Sequence, residues 1–150
     1  MSLADWKASI GKEVGVSDWL LITQERVDAF ATTTGDPQWI HGKDAKTLGS
    51  PFGGPIAHGF LVVSLAAYFG QQALPVLDGA KMGVNYGMEK LRFVSPVPVG
   101  KNARMRGTLV EVKELDGPMK GLQNTVRCSI EVEGAKKPSL VFDWLTRVYF

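Results

Sequence analysis

An aspartate and a histidine five residues apart, Asp36 and His41, sit in the segment Gly35-Asp36-Pro37-Gln38-Trp39-Ile40-His41. Seventeen residues beyond His41 comes His58, in Pro55-Ile56-Ala57-His58-Gly59-Phe60. A carboxylate and an imidazole at this spacing in a loop can converge on one small volume, as an acid/base pair. A helix that opens near Gly59 carries free backbone N–H groups at its start. Such a terminus favours negative charge on a nearby oxygen. Each residue taken singly has a plainer reading. Asp36 after a glycine is a common turn or cap residue, and His41 can be a hydrogen-bonded structural residue. His58 can simply bond a carbonyl and hold the turn before the helix, and Gly59 can serve close packing.

These residues need a frame. Val14 to Ile22 reads as a first strand. Thr23 is placed to cap a helix whose face carries Val27, Phe30, Ala31 and Thr34, and Gly35 is placed to stop it. Residues 36–58 read as an irregular stretch with a short helix near Asp44 to Leu48. Loops of that length inside compact domains are uncommon and often functional. A second helix is expected from about Gly59 to Ala73. It is apolar on nearly all sides and must be surrounded by protein. Strands follow at Ala80–Val94 and Asn102–Leu115, with a bulge near Leu109-Val110. The alternation of Val126, Cys128, Ile130 and Val132, then of Leu140, Phe142, Trp144, Thr146 and Val148, marks two half-buried antiparallel strands. The fold class is α+β: an antiparallel sheet around one apolar helix, the hot-dog arrangement.

Bulk composition narrows the function. The 150 residues suit one domain, taken as 1–150. Seventeen basic and fifteen acidic residues leave a net charge of +2, too balanced to argue for nucleic acid. Thr47 to Leu77 lacks Asp, Glu, Lys and Arg, but prolines and glycines interrupt it. Its continuous apolar stretch, Phe60 to Phe69, falls well short of the ~20 residues of a membrane span. The single cysteine, Cys128, excludes an internal disulfide and suits a reducing compartment. The N-terminus lacks the pattern of a secretory signal. The expected location is cytoplasmic.

The paired segments resemble those of MaoC-like dehydratases and (R)-specific enoyl-CoA hydratases. These carry a Gly-Asp-x-Asn-Pro-Leu-His-type segment, then Pro-Ile-Ala-His-Gly and an apolar helix. The match rests on Gly35, Asp36, His41 and Pro55 to Gly59, and spans roughly residues 10–150. Gln38-Trp39 stands where many members have Asn-Pro. The resemblance implies reversible addition of water to a trans-2-enoyl thioester, giving a (3R)-hydroxyacyl thioester. It implies Asp36 and His41 as the catalytic acid/base pair, without saying which gives the proton. It implies Gly59 N–H on the thioester carbonyl, and Gln38 and Trp39 as shapers of the substrate site. It implies no metal and no cofactor beyond the coenzyme A or acyl carrier protein thioester that is the substrate. Arg92, Lys90, Arg104 and Lys136 are candidates for phosphate contacts. Hot-dog relatives join sheets edge to edge, so a homodimer is expected. Two alternatives stand beside the hydratase: an acyl-thioester hydrolase and a non-catalytic thioester-binding subunit.

Overall fold

Thr23 caps the helix that precedes the motif. Its hydroxyl accepts from the Arg26 N–H at 3.2 Å, and helix α2 runs Gln24–Thr34. Gly35 ends it at φ 72°, a conformation that costs glycine little. The next N–H, that of Asp36, turns back to Ala31 O at 3.0 Å. The helix stop therefore fixes where Asp36 leaves the helix.

The computed structural model describes residues 1–150. A short helix α1 spans Leu3–Lys7, and the long helix α3 spans Gly59–Ala73. The strands are β1 Glu13–Val16, β2 Leu20–Leu21, β3 Met82–Phe93, β4 Asn102–Leu115, β5 Gly121–Val132 and β6 Leu140–Tyr149. All pair antiparallel in one sheet ordered β1-β4-β5-β6-β3, with β2 also on β4. The β4–β5 register shifts between Leu109 and Glu111, at the expected bulge. The sheet curls round α3, whose Leu61, Val62, Leu65, Ala66, Phe69 and Ala73 share one core with Met105, Leu109, Val126, Ile130 and Phe142. This is the hot-dog fold. Gly70 lets Trp144 lie against α3: a Cβ there would stand 2.7 Å from the indole.

Three expectations need correction. The first strand is broken into β1 and β2, because Ser17 interrupts it. Its hydroxyl accepts the Met105 N–H at 2.9 Å, replacing a ladder bond with a side-chain bond. Ahead of β1 lies an element that no sequence pattern announced: Trp6 of α1 is buried, and its indole N–H donates to Asn124 Oδ1 at 2.9 Å. Asp44 to Leu48 forms turns, not a helix, and Gly49 follows at φ 82°. Finally, α3 is open along one side. Phe60 is 71% exposed and Tyr68 43%, and the edge strand β3 has mostly exposed residues. No helix is long and apolar enough to cross a membrane.

Gly15 of β1 is a point of close approach between sheet and helix. A Cβ there would lie 1.7 Å from the Ala73 carbonyl oxygen at the end of α3. Backbone must move to admit it, so Gly15→Ala should cost about 1–3 kcal/mol. In a chain of this size that is a fall of roughly 2–4 °C in Tm per kcal/mol. Gly83→Ala, where the added carbon meets open space, should shift Tm far less. Equal melting of the two variants would contradict the close-approach argument.

Candidate active site

A single turn of 3-10 helix, Trp39–His41, carries His41 into the interior. The His41 N–H bonds Gln38 O at 3.1 Å. Its ring Nδ1 lies 2.7 Å from the Ile56 carbonyl oxygen. A carbonyl can only accept, so Nδ1 carries the proton and Nε2 of the neutral ring keeps its lone pair. Ile56 also donates its N–H to Ile40 O at 3.1 Å. Ala57 N–H donates to Val97 O at 2.8 Å, and Val99 N–H to Pro55 O at 3.0 Å. Residues 55–57 thus tie the His41 turn to the turn before β4. Burial, reinforced by the neighbouring His58, holds the His41 imidazole below its ordinary pKa of 6.5.

His58 is buried at the start of α3, stacked on His41 with ring centroids 3.7 Å apart and 25° between planes. Its Nε2 is 2.9 Å from the Asp36 carbonyl oxygen and 4.0 Å from Asp36 Oδ2. Its Nδ1 is buried with no partner. The Asp36 side chain is half exposed. One carboxylate oxygen of Asp36 and one nitrogen of each imidazole lie within 4.8 Å of one another. Such a trio could hold a metal ion. However, His41 Nδ1 is committed to Ile56 and His58 Nε2 to Asp36, which leaves a weak ligand set.

A cavity of about 410 Å³ opens beside His41. Gly59, Phe60, Phe52, Phe93 and Ser139 are among its lining residues. Gly59 is the first residue of α3, which lacks a side-chain cap. The first backbone bond entering the helix is Val62 N–H to His58 O at 3.1 Å. The N–H groups of Gly59, Phe60 and Leu61 therefore precede the ladder. A Cβ on Gly59 would stand 2.7 Å from the Phe93 ring.

The other sequence candidates fall differently. Gln38 and Trp39 are exposed and do not line this cavity. Successive residues of a 3-10 turn point about 120° apart, so the turn that carries His41 inward leaves Trp39 outside. Lys90 is spent on Asp143 at 3.0 Å, and Arg104 pairs with Glu131 while lying over the Trp19 ring. Arg92 and Lys136 are exposed, close in sequence to the lining residues Phe93 and Ser139. Cys128 is buried on the inner face of β5, and burial pushes its thiol up to about 12, far from a nucleophile's range. Sequence reasoning missed the stack of His58 on His41 and the bond from His41 to Ile56. The Pro55 to Gly59 segment was the available signal, but it did not reveal the partners.

The MaoC-like domain matches residues 5–133. The chain belongs to the MaoC-like domain family. Among relatives, 3-hydroxyacyl-thioester dehydratase Z of Mycobacterium tuberculosis is 44% identical over 146 residues, covering 97% of this chain and 95% of that protein. Among solved structures, the MaoC-like dehydratase from Rhodospirillum rubrum superposes with a TM-score of 0.79 at 19% identity, over 99% of this chain and 97% of that one. The (R)-hydratase from A. caviae involved in PHA biosynthesis superposes with a TM-score of 0.68 at 27% identity, over 89% and 95%. As a MaoC-like domain, the chain keeps the acid, the imidazole and the helix start of the paired segments in one place.

The depressed His41 pKa sets a pH dependence. The fold disfavours the charged ring, so the folded state binds its proton less readily than the unfolded chain. This contribution to stability is full above about pH 6.5, the ordinary histidine value, and is lost as pH falls through the lower folded value. NMR titration of the His41 ring should give a midpoint below 6.5. A midpoint at or above it would contradict the neutral, buried ring.

Proposed function

We propose that this chain catalyses reversible (R)-specific hydration of trans-2-enoyl thioesters to (3R)-hydroxyacyl thioesters, acting as a lyase of fatty-acyl metabolism. The observation that carries this reading is an acceptor pair beside a helix start. His41 offers Nε2 and Asp36 a carboxylate, within 4.8 Å at one ring nitrogen. A water donating two hydrogen bonds of about 2.8 Å spans roughly 4.5 Å between its acceptors. In this reading one water would be held between His41 Nε2 and the Asp36 carboxylate.

In this reading His41 Nε2 takes one proton from that water while Asp36 accepts the other O–H and orients it. The water oxygen attacks C3 of the enoyl group. The C2–C3 π electrons move toward the thioester, and negative charge gathers on its oxygen. The free N–H of Gly59 meets that charge at the N-terminus of α3. The proton held by His41 then passes to C2, so that the elements of water have been added and the C–S bond is intact. Dehydration is the same path reversed. No metal or further cofactor is required by these steps. The names of the 44% identical dehydratase and of the 27% identical (R)-hydratase support this chemistry and its hand.

The carrier would be coenzyme A or an acyl carrier protein, with Arg92 and Lys136 as phosphate contacts near the cavity. Gln38 would help shape substrate entry through its amide. Residues 1–150 would work as one domain: β6 lies beyond residue 133, yet sits between β5 and β3. Cys128, single and buried, fits a cytoplasmic setting.

The same proposal includes a homodimer. Strand β3 has one neighbour, β6, and exposes Met82, Val84 and Tyr86, while the exposed Phe60 of α3 lies edge-on to Phe93 of β3. A long apolar edge of this kind invites pairing, and a second copy would cover it isologously. Sedimentation at micromolar concentration should give a dimer, and a monomer would count against it.

Asp36→Asn should leave the fold intact and reduce crotonyl-CoA hydration by about a hundred- to ten-thousand-fold, the range of general acid/base groups. His41→Ala should lose a similar factor, and the double variant less than the product, because the two groups share one water. The comparison is turnover against Tm for each variant. Near-normal turnover in Asp36→Asn would remove Asp36 from the mechanism. Losses that track unfolding would leave it a turn residue.

A further inference from the structure

We infer that His58 is a positioning residue for the reaction. Its Nε2–H pins the Asp36 main chain and its ring is the plate on which His41 lies, so that both groups are aimed at the same water. This rests on the hydration reading above.

The Asp36 residue is held at both ends. Its N–H is bound to Ala31 O at 3.0 Å, which ties it to the end of α2. Its carbonyl oxygen receives the His58 Nε2–H at 2.9 Å, which ties it to the start of α3. With both peptide groups fixed, the carboxylate keeps only its own side-chain rotations. His41 is likewise held twice, at its edge by Ile56 O and across its face by His58. His58 is also the cap residue of α3, one bond from Gly59. One imidazole therefore sets the carboxylate, the base and the helix N–H relative to one another.

A packing role alone would not select this side chain. His58 is 2% exposed, Phe30 lies against it at 5.1 Å, and its Nδ1 is buried without a partner. Leaving a buried ring nitrogen unpaired costs free energy that a Phe in the same space would not incur. What the imidazole supplies beyond a Phe is the Nε2–H to Asp36.

Two substitutions separate the bond from the plate. His58→Gln places an amide N–H at similar reach and gives up the ring. His58→Phe keeps the ring and gives up the donor. With crotonyl-CoA, His58→Phe should lower kcat about a hundredfold, the scale of an ångström-level misplacement, with KM close to that of the unaltered protein. His58→Gln should restore most of that loss. In His58→Gln the acid limb of the kcat–pH profile should also move to higher pH. Asp36 and His58 are the ionisable groups that act on His41, and His58 is the one that depresses it.

Two readouts need no turnover. The Asp36 amide should exchange with solvent faster in His58→Phe than in His58→Gln. The His41 NMR midpoint should rise in His58→Gln. An unaltered kcat in His58→Phe with unaltered Asp36 exchange would overturn the inference. So would losses of turnover in both variants that match their losses of folded protein. If the unaltered protein fails to hydrate any enoyl thioester, the hydration reading falls, while amide exchange and the His41 midpoint still decide whether His58 holds the two groups.

Discussion

The main chain of Ile56 is the joint on which the site depends. Its N–H donates to Ile40 O and its C=O accepts the His41 imidazole, while its neighbours on either side bond to the turn before β4. One short segment therefore settles the depth of His41, the orientation of its ring and the nitrogen that carries the proton. The same segment runs directly into α3. A change in its path would move the imidazole and the helix start together, which is how a loop can hold a site within the tolerances that catalysis requires.

The surrounding fold converts this local arrangement into a rigid one. Alpha-3 buries one face against the curled sheet, and Gly15 and Gly70 permit approach distances that any side chain would prevent. Those contacts seat α3 on the sheet, and its first residues, Gly59 and Phe60, line the cavity. The opposite face of α3 and the edge strand β3 remain open. The apolar core and the apolar outer strip thus have different consequences. The first fixes the position of the site, and the second is the strip on which the proposed dimer would form.

Much of this was legible in the sequence where the signal is local. Thr23 and Gly35 are cap residues whose effect is felt within one turn, and α2 begins and ends where they place it. The apolar run after His58 and the period-two strands gave α3 and β4 to β6, including the slip near Leu109. The misses are non-local. Trp6 is buried because Asn124, far along the chain, meets its indole N–H. The first strand breaks because Ser17 bonds Met105 across the sheet. In the site, the residue types announced Asp36, His41 and Gly59, but the stacked histidines and the Ile56 bond arise from a loop whose path no periodicity encodes. The exposed positions of Gln38 and Trp39 follow from the same loop geometry.

The central claim is that water adds across the double bond of an enoyl thioester with one hand and without cleavage of the thioester. The most direct measurement is to run the unaltered protein on crotonyl-CoA in deuterated water and to analyse the product by chiral separation and mass. The account predicts (3R)-3-hydroxybutyryl-CoA bearing one deuterium at C2 and an intact thioester. A (3S) product, or release of free thiol from unhydrated crotonate, would contradict it.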